Sequence, residues 1–129
     1  RNLFHTSIAI YQKFLTHLGW AYSYRDILDY FNNYINVIEF YKKKYPNKIY
    51  DLELEKLTLE NEKKSKEVFN FCNIKWNSYV LEYYKRGDLD IRTTSNIQIR
   101  NKITSYDSKK YSQYYYLFKN YQDKYKWLK

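Results

Sequence analysis

The sequence predicts a mainly α protein with one or two short strands, and three observations carry that expectation. Only two glycines and one proline punctuate 129 residues, too few for the many tight turns of an all-β fold. Apolar residues recur at three- and four-residue steps over most of the chain, the spacing that gathers them on one helix face. One stretch, "KIYDLELEKL", alternates instead, as a half-buried strand would.

In chain order, Ile8, Tyr11, Leu15 and Leu18 define the inner face of a first helix that Gly19 ends. Ser23 followed by Asp26 forms a cap-like start for a second helix. Its inner face runs from Ile27 through Phe31, Tyr34 and Ile38 to Tyr41, until "KKKYPNK" stops it at Pro46. Tyr50, Leu52 and Leu54 then alternate with Asp51, Glu53 and Glu55, which predicts a strand whose partners lie outside this sequence. Residues 60–72 read as an amphipathic helix with Val68, Phe69 and Cys72 inward, and "NSYVLEYYK" as a short helix ended at Gly87. Tyr111, Tyr114, Phe118, Tyr121 and Tyr125 form the stripe of a last helix. Before it lie roughly twenty residues without a clear period, and loops of that length in compact domains are usually functional or disordered.

Composition narrows the function classes. With 44% hydrophobic residues, the chain can bury one core, as one folded domain or part of one. The single Cys72 cannot form an internal disulfide and sits in the apolar run "EVFNFCNI", which suggests a buried thiol and a reducing, cytoplasmic compartment. No apolar run approaches the roughly 20 residues that cross a bilayer, so no membrane partner is expected. The formal charge of +9 favours an anionic partner. His5 and His17 lack further ligands at metal-binding spacing, and the "RGD" at 86–88 reads as a turn. The absence of methionine, including at position 1, suggests a piece of a longer protein. An unpartnered strand-side face would then leave it marginally stable or prone to self-association.

The aperiodic loop holds "IRTTSNIQIRNKI", which resembles the T-A-S-x-x-Q-V-R-x-P-I segment near the end of bacterial sulfotransferases, including those fused to tetratricopeptide repeats. Related segments occur in tyrosylprotein sulfotransferases. The resemblance runs in order through most of the chain. "RNLFHTSIAIY" is similar to the R-x-P-x-D-x-x-x-S-x-Y motif, and "GWAYSYRDILDYFNNYINVIEFYKKKYP" to the helices that follow it. "IYDLELEKL" takes the place of the Y-E-x-L strand, and "SKEVFNFCNIKWN" that of the L-L-x-F-x-G-L-x-W helix.

The resemblance implies the C-terminal part of an α/β, P-loop-like sulfotransferase fold. That family moves a sulfuryl group from 3′-phosphoadenosine 5′-phosphosulfate (PAPS) to a hydroxyl or amine acceptor, and places the phosphosulfate loop and acceptor base upstream; no metal is implied. Carried over by position, Arg1 matches the arginine that grips the nucleotide 3′-phosphate, where a planar fork of donors suits a tetrahedral anion. Thr93, Ser95, Gln98 and Arg100 match the stretch that lies over the bound nucleotide, either PAPS or the product adenosine 3′,5′-bisphosphate. The sequence departs from the pattern at Leu3, His5 and Ala9, which replace the motif proline, aspartate and serine. Ser7, two residues before Ala9, would point roughly 200° away on a helix. Leu54 replaces the strand's tyrosine, Lys102 a proline and Thr104 a common tyrosine, which leaves the loop's path less constrained. The identity of the acceptor is not encoded here.

An alternative of another class stands beside it: a non-enzymatic basic helical module for nucleic acid or protein, motivated by the charge and by 22% aromatic residues. The helical 3–4 spacing of the tyrosines favours core packing over exposed stacking platforms.

Overall fold

The computed structural model describes residues 1–13, 15, 17–88 and 96–128, with the side chains of Asn96 and Gln98 outside that description. It is mainly helical, and no strand occurs among the described residues. The chain divides into two compact units, Arg1–Asp51 with Asp107–Lys129, and Leu52–Tyr106. No described helix is long and apolar enough to cross a membrane.

In the first unit, α1 spans Leu3–Gln12 and α2 spans Tyr24–Lys44. Both begin where side-chain caps allow it. The Asn2 carboxamide oxygen accepts the His5 N–H at 3.2 Å, and the Ser23 hydroxyl accepts the Asp26 N–H at 3.4 Å. α1 ends earlier than its periodicity suggests. The Lys13 N–H bonds to the Ile10 carbonyl at 3.1 Å, a tightened last turn, and Leu15 and Leu18 fall beyond the helix. α2 ends at the expected place. Its following turn is type II in pattern: Pro46 precedes Asn47 at φ 64°, and the Lys48 N–H returns to the Tyr45 carbonyl at 3.2 Å.

α1 packs on α2, and the C-terminal segment closes the core of this unit. Phe4, Ile8, Leu28, Tyr111, Phe118 and Tyr125 form one buried cluster. Phe118 meets Phe4 edge-on at 4.7 Å and Tyr24 at 5.5 Å, geometries that aromatic quadrupoles favour. The expected stripe of the last helix therefore does face inward. Its winding differs, because Ser112–Tyr121 forms a 3-10 helix. Aromatic residues lose rotamer freedom on an α-helix, so in "SQYYYLFKNY" local preference for α-winding is weak and packing sets the path.

The C-terminal segment is tied to α2 by polar contacts as well. The Asp29 carboxylate accepts the Tyr125 hydroxyl at 2.6 Å and the Lys124 ammonium at 2.9 Å. The Tyr125 bond, and then that of Lys124, hold the Asp29 carboxyl below its ordinary pKa, whereas burial first and then the Asp29 bond push the Tyr125 phenol up. For Asp29 the folded state binds the proton more weakly than the unfolded chain does. Its contribution is therefore complete above the unfolded value of about 3.9 and is lost as pH falls through the lower folded value. For Tyr125 the contribution is complete below about pH 10 and is lost as pH rises above it. Thermal melts should thus lose stability on acidification below about pH 4. The melts of Asp29→Asn should fall less steeply over that range, and identical slopes would remove Asp29 from this role.

In the second unit, α3 spans Leu54–Leu59 and α4 spans Asn61–Phe71. The strand expected across residues 50–54 is absent. A single strand without a partner leaves its backbone donors and acceptors unpaired, whereas "LEKLTL" can wind as a helix with Glu53 and Lys56 paired at 2.7 Å. α4 closes with a Schellman arrangement: Asn73 takes φ 54°, the Ile74 N–H reaches the Phe69 carbonyl at 2.9 Å, and the Asn73 N–H reaches Asn70 at 3.0 Å. Cys72, the helical C-cap residue before that reversal, is exposed, so the thiol expected to be buried is not. Native protein should therefore react with a water-soluble disulfide reagent without denaturant, and labelling only after unfolding would contradict this placement. No described residue of this unit is buried; Phe69 meets Trp76 edge-on at 5.2 Å, with the Lys66 ammonium 5.6 Å from the Trp76 ring.

Candidate functional site

The second unit carries the described part of the loop singled out by sequence. Asn77 caps a 3-10 helix, Ser78–Lys85, by accepting the Tyr79 N–H at 3.0 Å. The Tyr83 hydroxyl then donates to the Asn101 carbonyl at 2.7 Å, and the Lys102 ammonium lies 5.4 Å from the Tyr84 ring. Residues of the loop that read as aperiodic form a short helix, α5, over Asn96–Ile99. Beyond it the Asn101 carboxamide donates to the Ile97 carbonyl at 3.0 Å. The Arg100 guanidinium donates to the Arg86 carbonyl.

Arg86 itself makes a two-point pair with Asp88, at 3.1 and 2.6 Å. The Arg86 bond is the main reason that the Asp88 carboxyl lies below its ordinary pKa, and the charge of Arg100 adds to it. The "RGD" stretch is therefore a local ion pair beside the loop. Thr58, at the end of α3, accepts the Tyr106 N–H at 3.0 Å and donates to the Glu55 carbonyl at 3.0 Å, which fixes the far end of the loop.

Together these contacts frame a cleft of about 380 Å³ lined by Thr58, Tyr83, Asn101, Lys102, Ile103 and Thr104. Its lining offers the Lys102 ammonium and the Thr104 hydroxyl, whereas the Tyr83 and Thr58 hydroxyls and the Asn101 carboxamide donate to backbone carbonyls. No group of His, Cys, Asp and Glu that could hold a metal ion occurs among the described residues.

The expected site residues fall as follows. Arg1 is exposed in the first unit, ahead of the α1 cap, whereas Arg100 belongs to the second. Thr93 and Ser95 lie outside the described residues, as does the side chain of Gln98, whose backbone is in α5. Three departures from the sulfotransferase pattern gain a physical reading. His5 is 2% exposed and packs against Phe4, Tyr111 and Tyr115, so it serves the core. Ser7 is fully buried and donates to the Phe4 carbonyl at 2.7 Å, so it does not replace the hydroxyl missing at Ala9. Leu54 begins α3 in place of a strand position. Sequence reasoning missed Tyr83 and Thr58, which no motif signals because each acts on a backbone group far along the chain.

Fold and sequence thus define a basic, mainly helical protein. An uncharacterized protein of Aquifex aeolicus (strain VF5) is 33% identical to it over 97 residues, which cover 75% of this chain but 13% of that relative. No family model and no solved structure matches.

Proposed function

We propose that this chain is the nucleotide-closing, C-terminal portion of a PAPS-dependent sulfotransferase with a P-loop-like fold. The observation that carries this reading is the order of five family-like segments, in which Thr93, Ser95, Gln98 and Arg100 keep their motif positions in one loop. The cleft beside that loop supports it, because the Lys102 ammonium and the Thr104 hydroxyl that line it suit a polyanionic nucleotide. By resemblance, Thr93, Ser95, Gln98 and Arg100 hold the motif positions that cover the nucleotide, and Arg1 the motif position assigned to its 3′-phosphate. When bound, PAPS supplies the sulfuryl group that passes to a hydroxyl or amine acceptor. In such enzymes the phosphosulfate loop and the acceptor base precede these segments.

Isothermal titration tests the reading. The chain should bind adenosine 3′,5′-bisphosphate in preference to adenosine 5′-monophosphate, since the 3′-phosphate adds charge-assisted contacts. Equal affinities for the two nucleotides, or none for either, would set the sulfotransferase reading aside.

A further inference from the structure

We infer that the C-terminal end of α2 is a stacking platform for single-stranded nucleic acid. α2 buries Ile27, Leu28 and Phe31 in its first half only. Near its end Phe40, Tyr41 and Tyr45 are 58%, 44% and 47% exposed. The Tyr41 and Tyr45 rings lie within 12° of parallel, with centroids 6.2 Å apart. Rings this exposed offer faces on which a base can stack.

Cations surround the rings. The Lys44 ammonium stands 5.9 Å from Phe40 and 5.4 Å from Tyr45. Lys42 is held by Asp51 at 2.7 Å and Glu39 at 3.3 Å, but Lys43, Lys44 and Lys48 make no ion pair among the described residues. The type II turn at Pro46–Asn47 holds Lys48 against Tyr45. Lysines in a last helical turn also complement the helix dipole. The dipole asks for positive charge alone, and does not account for three half-exposed aromatic rings among the lysines.

Interleaved rings and unpaired cations are what a sequence-tolerant single-strand site requires, because every base has a π-face and every nucleotide a phosphate. A single strand presents bases to the rings and phosphates to the lysines, so it matches both kinds of group on this surface. This surface belongs to the first unit and does not rest on the nucleotide site proposed above.

Fluorescence anisotropy of the full chain with a labelled oligothymidylate of about 12 nucleotides tests the inference. The single strand should bind more tightly than a duplex of equal length. Tyr41→Ala with Tyr45→Ala should weaken it roughly tenfold or more. Neutralising three phosphates predicts a log–log salt slope of about −2. The slope should flatten in Lys43→Gln/Lys44→Gln/Lys48→Gln, and stay in Lys75→Gln/Lys109→Gln/Lys119→Gln, which removes equal charge from exposed positions elsewhere. Equal affinity for duplex and single strand, an unaffected tyrosine variant, or equal losses in both lysine variants would overturn the assignment. So would phosphatidylserine vesicles that bind where the oligonucleotide does not.

Discussion

Phe118→Ala should destabilise the first unit by about 3–5 kcal/mol, the range for truncating a well-packed phenylalanine. Phe118 is 2% exposed at the centre of the buried cluster, where it meets Phe4 and Tyr24 edge-on. Removing the ring deletes apolar burial and leaves a cavity between α1, α2 and the C-terminal segment. A domain of this size shifts its melting temperature by about 4–8 °C per kcal/mol, so the midpoint should fall by more than about 10 °C. Phe40→Ala is the control. Its ring is 58% exposed, and surface truncations of this kind usually stay within about 0.5 kcal/mol. Urea midpoints that agree for the two variants would mean that Phe118 is not at the centre of a packed core. Phe69→Ala should cost less than Phe118→Ala, because no described residue of the second unit is buried.

The second large effect concerns Arg100. If residues 93–103 close over a bisphosphate nucleotide, Arg100 contributes a charge-assisted contact of about 1.5–3 kcal/mol. Arg100→Ala should then weaken adenosine 3′,5′-bisphosphate binding roughly 10- to 150-fold. Ser95→Ala should cost less, since a neutral hydroxyl bond contributes about 0.5–1.5 kcal/mol. The charge control must be a lysine outside the site. Lys42 is unsuitable because its ammonium is held by Asp51 and Glu39, whereas Lys119 is exposed in the C-terminal segment of the other unit. Lys119→Ala should leave affinity almost unchanged. Equal small losses for Arg100→Ala and Lys119→Ala would reduce the loop to part of a general positive field. The bond from Arg100 to the Arg86 carbonyl makes a structural effect separable: it would shift the melting midpoint, whereas loss of a nucleotide contact changes affinity alone.

Much of the helical content was legible in the sequence because it is written in local spacing. The boundaries of α2 follow from the Ser23 cap and from Pro46, and the inward stripe of Tyr111, Phe118 and Tyr125 follows from repeated steps. Such signals involve residues within a turn or two of one another, so no distant partner is needed to read them. The strand at 50–54 failed for the opposite reason. Alternation only permits a strand, whereas a strand forms only where another supplies its hydrogen bonds, and here Leu54 starts a helix instead. Cys72 was misplaced because composition says that a thiol prefers the interior, whereas this one lies in a unit where no described residue is buried.

The candidate site divides along the same line. Its residue types, "TTSNIQIR" with hydroxyls, an amide and a guanidinium, were determined by sequence, and so was its basic charge. Only the tertiary structure decided that Tyr83 and Thr58 hold this loop, that Arg100 reaches the Arg86 carbonyl, and that His5 and Ser7 are spent on the core. It also split the tyrosines that periodicity had placed on inner helix faces, burying Tyr111 and Tyr125 while leaving Tyr34 and Tyr41 exposed. The physical reason is that a helical pattern defines which residues share a face, but burial requires a second surface. Which face receives one depends on contacts between residues far apart in the chain.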